Sequence, residues 1–182
     1  IKSKIYQIDY YNNNKLQYVF STEDKIYVVD RNGELVDGFP IELPSKVSNG
    51  IFVTQYKDNK NIRYFIACDN GNVYGYEKNG KPLNGWSPLE NVGIVDEPIQ
   101  RIVENGKDYI FFTNTSGAFF AYTRSGKLRF NKVQTTENIG QFEFLNGSFK
   151  AGKNGRVFSI GLNGKKNVNK ILDTSFSHIV YS

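Results

Sequence analysis

Methionine is absent from the 182 residues, and cysteine, histidine and tryptophan occur once each. A structural zinc centre takes about four thiolate or imidazole ligands, which Cys68 and His178 cannot supply. A lone cysteine forms no intrachain disulfide, so Cys68 says nothing about the redox compartment. A Ser-His-Asp triad would have to recruit His178, the only imidazole. No run approaches the roughly 18–20 consecutive apolar residues of a membrane-spanning helix, and no basic-then-apolar signal segment stands at the start. A chain that lacks Met and begins at Ile1 is expected to be a processed product or part of a longer protein.

What is abundant is aromatic. Twelve Tyr and fourteen Phe bring the aromatic share to 15%, and such residues favour pleated, half-buried strands. Hydrophobic residues at 39% and charged residues at 23% describe a globular chain, not a disordered one. No segment sustains a 3.6-residue apolar period, and Gly or Asn interrupts every window long enough for a helix.

Four segments align without gaps: Lys25–Gly33 (KIYVVDRNG), Asn72–Gly80 (NVYGYEKNG), Ala118–Gly126 (AFFAYTRSG) and Arg156–Gly164 (RVFSIGLNG). Each reads as an apolar strand running into an Asn-Gly or Ser-Gly turn. A two-residue type I′ hairpin turn is expected, with positive φ at both central residues. The turn glycines are spaced by 47, 46 and 38 residues. A second run precedes each strand, at Leu16–Ser21, Arg63–Cys68, Asp108–Thr113 and Gly147–Gly152, with a further β-like run before that. Four short strands repeated at this period predict an all-β propeller built from four-stranded antiparallel blades. The expected blades are 1–46, 47–92, 93–137 and 138–176. Ser177–Ser182 would then open a further blade of a larger ring, the favoured reading, or else complete the blade at the N-terminus and close the ring.

Gly71–Trp86 (GNVYGYEKNGKPLNGW) and Gly117–Leu128 (GAFFAYTRSGKL) resemble the repeat of the PQQ-like, quinoprotein-type propellers. Tyr27–Pro40 (YVVDRNGELVDGFP) is similar to the FG-GAP or VCBS-type repeat, in which the turn is followed by a Gly-Trp/Phe-Pro step. The resemblance implies the propeller scaffold and a setting in the cell envelope or exterior of a bacterium. It carries over no cofactor site. The adjacent Cys pair of the quinone enzymes is missing, and Asp69-Asn70-Gly71-Asn72 has too few carboxylates for an FG-GAP calcium loop. Only Trp86 keeps the outer tryptophan, with Phe39 and Phe130 near the equivalent places.

Two repeated positions are expected to pack. Val28, Gly75, Ala121 and Ser159 are mostly small, as suits a crowded place near a propeller axis. Tyr27, Tyr74, Phe120 and Phe158 form an aromatic register suited to filling the space between blades. Trp86 is expected to pack on the outer part of its blade, and Cys68 to be a small core residue.

The net charge is +5, and the fourth blade holds six cations against Glu143 and Asp173. Lys150, Lys153, Arg156, Lys165, Lys166 and Lys170 could meet a polyanion, although lysines also keep strand edges from sticking. The reading is a non-catalytic scaffold presenting a protein- or ligand-binding surface and needing no cofactor. Its partner would be another protein or further blades of its own polypeptide, and open blade faces would allow self-association. With no recognisable nucleic-acid module, nucleic acid is not the expected partner. The alternatives are a quinoprotein-type enzyme domain and a polyanion-binding module centred on the fourth blade.

Overall fold

Strands with apolar side chains on both faces cannot stop at one sheet, because each face needs a neighbour to cover it. A computed structural model shows how this chain meets that demand, describing residues 1–56, 61–135 and 137–170. The end of the expected fourth blade at 176, the strand at Ser177–Ser182, and His178 lie outside the described residues.

Four antiparallel sheets follow one another along the chain. The first has the order β1 (Tyr6–Ile8), β2 (Gln17–Ser21), β3 (Lys25–Val29), β4 (Ile41–Glu42). The second runs β5 (Val47–Gln55), β6 (Ile62–Cys68), β7 (Val73–Glu77). Its outer edge is completed by single bridges from Val73 to Leu89 and from Tyr76 to Pro82. The third contains β8 (Gln100–Glu104), β9 (Lys107–Thr113), β10 (Ala118–Tyr122) and β11 (Val133–Gln134). The fourth contains β12 (Glu143–Leu145), β13 (Ser148–Lys153), β14 (Arg156–Gly161) and β15 (Lys166–Lys170). Within each sheet the strands lie in chain order. These are β-propeller blades, and the fold is all-β. Among the described residues no helix is long and apolar enough to cross a membrane.

Packing is strictly between neighbours. One apolar cluster joins blades one and two through Val19, Ile26, Val28, Ile66, Tyr74 and Tyr76. A second joins blades two and three around Phe65, Trp86, Ile110, Phe112 and Phe120. The third joins blades three and four around Phe111, Phe119, Phe149, Phe158 and Ile160. Each inner blade therefore has a leading face, turned to the blade before it, and a trailing face turned to the next. The aromatic register sits on the leading faces. Tyr74, Phe120 and Phe158 are buried there, while Tyr27, which no other blade covers among the described residues, is half-buried and stacks on Phe20 at 5.3 Å.

The small-residue register sits on the trailing faces. At Gly75 the room is taken by Trp86 of the same blade's outer segment: a Cβ on Gly75 would come within 2.6 Å of Trp86 Cβ. Trp86 is fully buried, lies edge-on to Phe65 at 4.7 Å, and donates through Nε1 to the Arg124 carbonyl across the seam at 3.2 Å.

The outer turns differ from the expected type. Gly33, Gly80, Gly126 and Gly164 all have positive φ, but the residues before them do not. Each glycine N–H bonds the carbonyl three residues back, and that residue's own N–H bonds the carbonyl just after the glycine, as in Gly33 to Asp30 and Asp30 to Glu34. This is a three-residue loop, a type I turn ending in a glycine bulge. Side chains reinforce it: Asp30 Oδ1 accepts from the N–H groups of Asn32 and Glu34, and Thr123 Oγ1 from those of Ser125 and Lys127. The type I′ geometry appears elsewhere, at Asn105-Gly106, Asn146-Gly147 and Asn154-Gly155, where both φ angles are positive.

These turns also latch the blades together. The Asn79–Gly80 turn of blade two lies on Gly38 of blade one, and Ser125–Gly126 of blade three lies on Gly85 of blade two. Gly164 of blade four lies against the Phe130 ring of blade three. Among the described residues, nothing lies within 4 Å of where a Cβ on Gly33 of blade one would stand.

Two alanine substitutions separate backbone strain from the latch. Gly33→Ala meets only the left-handed conformation, costing about 1 kcal/mol. Gly126→Ala has the same φ problem and also drives its Cβ into the Gly85 carbonyl oxygen, which adds an overpacking cost of about 1–3 kcal/mol. Denaturant midpoints should therefore fall distinctly further for Gly126→Ala; equal losses would show that the latch is unimportant.

Candidate functional site

On the rim that carries the outer turns, Tyr56 directly follows β5, Arg63 is the second residue of β6, Asp108 the second of β9, and β10 leads into Arg124. Stacking blade two on blade three brings these ends together with Arg101 of β8. Tyr56 is 1% exposed. Three guanidinium groups surround its ring, with Arg124, Arg101 and Arg63 at 4.1, 4.4 and 5.0 Å from the centroid. Burial pushes the Tyr56 phenol above its ordinary range, opposed by the neighbouring arginines. Its hydroxyl has no hydrogen-bond partner among the described residues.

Three cations around one ring repel one another unless a carboxylate intervenes, and Asp108 is that group. Its buried carboxylate pairs with Arg101 through one oxygen and with Arg124 through the other, the latter at 2.8 Å. Arg129 Nε donates to the Asp108 carbonyl at 2.7 Å and lies over the Tyr109 ring. Arg63 is placed differently. It donates to the Arg124 carbonyl at 3.0 Å and has no carboxylate within ion-pair distance among the described residues, although Glu77 lies opposite it across β6 and β7. The Arg124 carbonyl thus accepts from both Arg63 and Trp86.

Arg63 also borders a cleft of about 410 Å³ between blades one and two, lined by Tyr10, Asn61, Ile62, Glu77, Lys78 and Asn79. Lys78 Nζ sits 4.7 Å above the Tyr10 ring. The volume falls in the range of ligand-binding clefts, and it opens beside the arginine cluster. Sequence reading passed over this rim because its arginines stand 38 and 23 residues apart and meet only when blades stack. The sole local signal is that corresponding strand starts carry Arg63 in blade two and Asp108 in blade three.

The fourth-blade cations are distributed instead of gathered. Lys153 Nζ donates to the Asn138 carbonyl and stands 3.6 Å from Glu137 Oε2. Lys166 Nζ donates to the Gln134 carbonyl at 2.8 Å. Both tie blade four to the segment leaving blade three. Lys150 lies on the trailing face, opposite Glu143 and Ser159. Arg156 and Lys165 are exposed, and Lys170 ends β15 opposite Arg156. Among the described residues no three His, Cys, Asp or Glu side chains group as they would to hold a metal ion.

Cys68 is fully buried in the first seam, and burial pushes its thiol up to about 12. A thiol whose folded pKa is raised favours the folded state below the unfolded value near 9 and loses that advantage as pH climbs towards 12. The native chain should leave a disulfide reagent such as DTNB unreacted at pH 8 until it is unfolded. Its stability should then decline above pH 9, less steeply in Cys68→Ala. Asp108→Asn should cost about 3 kcal/mol in denaturant unfolding, because it leaves Arg101 and Arg124 crowded without their shared anion; a loss below about 1 kcal/mol would class the network as surface pairing.

No protein-family model and no curated protein matches the sequence. Solved structures do. The crystal structure of BBS1N in complex with ARL6DN superposes with a TM-score of 0.67 at 14% identity, over 91% of this chain and 51% of that one. Saccharomyces cerevisiae Sqt1 gives 0.63 at 16% identity, over 91% and 48%. BamB from Moraxella catarrhalis gives 0.59 at 11%, over 93% and 51%. The chain thus spans about half the length of the structures it matches. At these identities the likeness is one of fold, and that fold is the β-propeller.

Proposed function

We propose that this chain is a non-catalytic propeller scaffold whose outer-turn rim, from the cleft at Tyr10 and Lys78 to the arginines around Tyr56, docks a carboxylate-bearing segment of a partner protein. The observation that carries the reading is Arg63. Its guanidinium is fixed by the Tyr56 ring and the Arg124 carbonyl, borders the cleft, and lacks a carboxylate within ion-pair distance among the described residues. A fixed, planar cation of this kind suits two-point recognition of a carboxylate. Lys78 adds a second positive charge to the same wall. Support for a protein partner comes from the fold, since a structural neighbour, BBS1N, was crystallised in complex with ARL6DN. The resemblance to PQQ-like and FG-GAP repeats supports a place in a larger secreted or cell-envelope protein, which fractionation of the source cells would test.

The direct test is fluorescence anisotropy with a labelled Glu/Asp-rich peptide at low salt, with heparin as competitor. Binding should weaken as salt rises. It should fall about tenfold or more, or about 1.4 kcal/mol, in Arg63→Glu with Lys78→Glu, with Trp86 emission unchanged as the folding control. It should survive Lys165→Glu with Lys166→Glu. Absence of peptide binding overturns the proposal. Binding lost only in the blade-four variant, with heparin preferred, would favour the polyanion module instead.

A further inference from the structure

The leading faces of the four blades are chemically alike at four paired strand positions. Blade two presents Tyr64, Ile66, Tyr74 and Tyr76, all buried against blade one. Blade three presents Ile110, Phe112, Phe120 and Tyr122, buried against blade two. Blade four presents Phe149, Ala151, Phe158 and Ile160, buried against blade three. Blade one presents Tyr18, Phe20, Tyr27 and Val29 in the same register, and all four are half-buried. Beside them Leu35, bridged to Val29, is 50% exposed. The latch repeats the pattern. Gly80, Gly126 and Gly164 each receive the outer segment of the preceding blade, while Gly33 receives nothing.

The other end of the stack is unlike this one. At the trailing positions where blade one has Val19 and Val28 and blade three has Phe111 and Ala121, blade four has Lys150 and Ser159. Ser148 and Gly161 pair beside them. At these positions that face is polar. A second copy of this chain docking head to tail would set Lys150, with Glu143 opposite it, and Ser159 on the Phe20–Tyr27 stack, burying charged and polar side chains against rings.

We infer that the first blade's leading face, Tyr18, Phe20, Tyr27 and Val29 with the Gly33 turn, is the docking site for a further propeller blade contributed by polypeptide outside these 182 residues. Its trailing face is apolar and it carries an outer Gly-aromatic step like Gly38-Phe39 or Gly85-Trp86. Three seams of this geometry already exist in the chain, so the fourth continues an established interface. The solved propellers it matches are about twice its length, which leaves room for such a blade in the same ring.

Hydroxyl-radical footprinting of Tyr18 and Tyr27 tests the inference, comparing the 182-residue chain with the product of the complete reading frame. Both tyrosines should oxidise several-fold more slowly in the complete product. Phe20→Glu with Tyr27→Glu should leave the unfolding midpoint of the 182-residue chain nearly unchanged while lowering that of the complete product. Equal oxidation in both proteins overturns the inference. So does protection already present in the 182-residue chain: a form that disappears on dilution and in the double variant assigns the face to a second copy, and a concentration-independent form assigns it to the chain itself. None of these readings depends on Arg63 or the rim cleft.

Discussion

A blade that is apolar on both faces can exist only between two others, and this constraint organises the whole molecule. Aromatic and branched residues alternate in and out along the strands, so each of the first three sheets offers one apolar layer to the blade before it and another to the blade after, while the fourth is apolar on its leading face. The three seams meet that demand with rings and aliphatic groups in contact across about one sheet spacing. The outer turns of blades two and three add a steric condition, since Gly80 and Gly126 lie against the backbone of the preceding blade at Gly38 and Gly85. Backbones come this close only where side chains are missing, which is why glycine at these turns answers to two demands at once.

The charged rim follows from the same stacking. Arg63, Arg101 and Arg124 come from different strands of two blades, and they converge because the seam beneath them, with Trp86 and Phe65, fixes the relative position of those blades. Asp108 neutralises part of the cluster and is itself held by Arg129 through its carbonyl. Electrostatics here sits on top of hydrophobic packing and gains its precision from it. The arrangement is also economical in side chains: one carbonyl, that of Arg124, serves both the core tryptophan and the cleft arginine.

The repeat was legible because its signals are local. Strand alternation and a turn glycine at 47, 46 and 38 residues are visible without any knowledge of which blades touch. The turn type was not, because Asn-Gly suits both a two-residue and a three-residue loop, and the choice falls to Asp30 or Thr123 bonding the turn's N–H groups. The small residue at Gly75 marks a crowded place, but its neighbour Trp86 is a residue of its own blade's outer segment, reached through a bridge that no periodicity reveals. The rim cluster was invisible for a stronger reason: no single blade contains it. The six fourth-blade cations looked like one group in sequence, yet alternation along β13 and β14 sends Lys150 to one face and Lys153 to the other.

Three seams among four blades also make the stack mechanically uneven. Among the described residues, blades two and three are each clamped from both sides, whereas blades one and four are held by a single seam. In such a quasi-one-dimensional array, detaching an end unit breaks one interface and detaching an inner unit breaks two. Local opening therefore begins at the outermost sheets, and backbone amides of β2 and β14 exchange with solvent through smaller excursions than those of β6 and β9. The most slowly exchanging part of the chain is then the seam beneath the arginine rim, so the candidate site rests on the last structure to open.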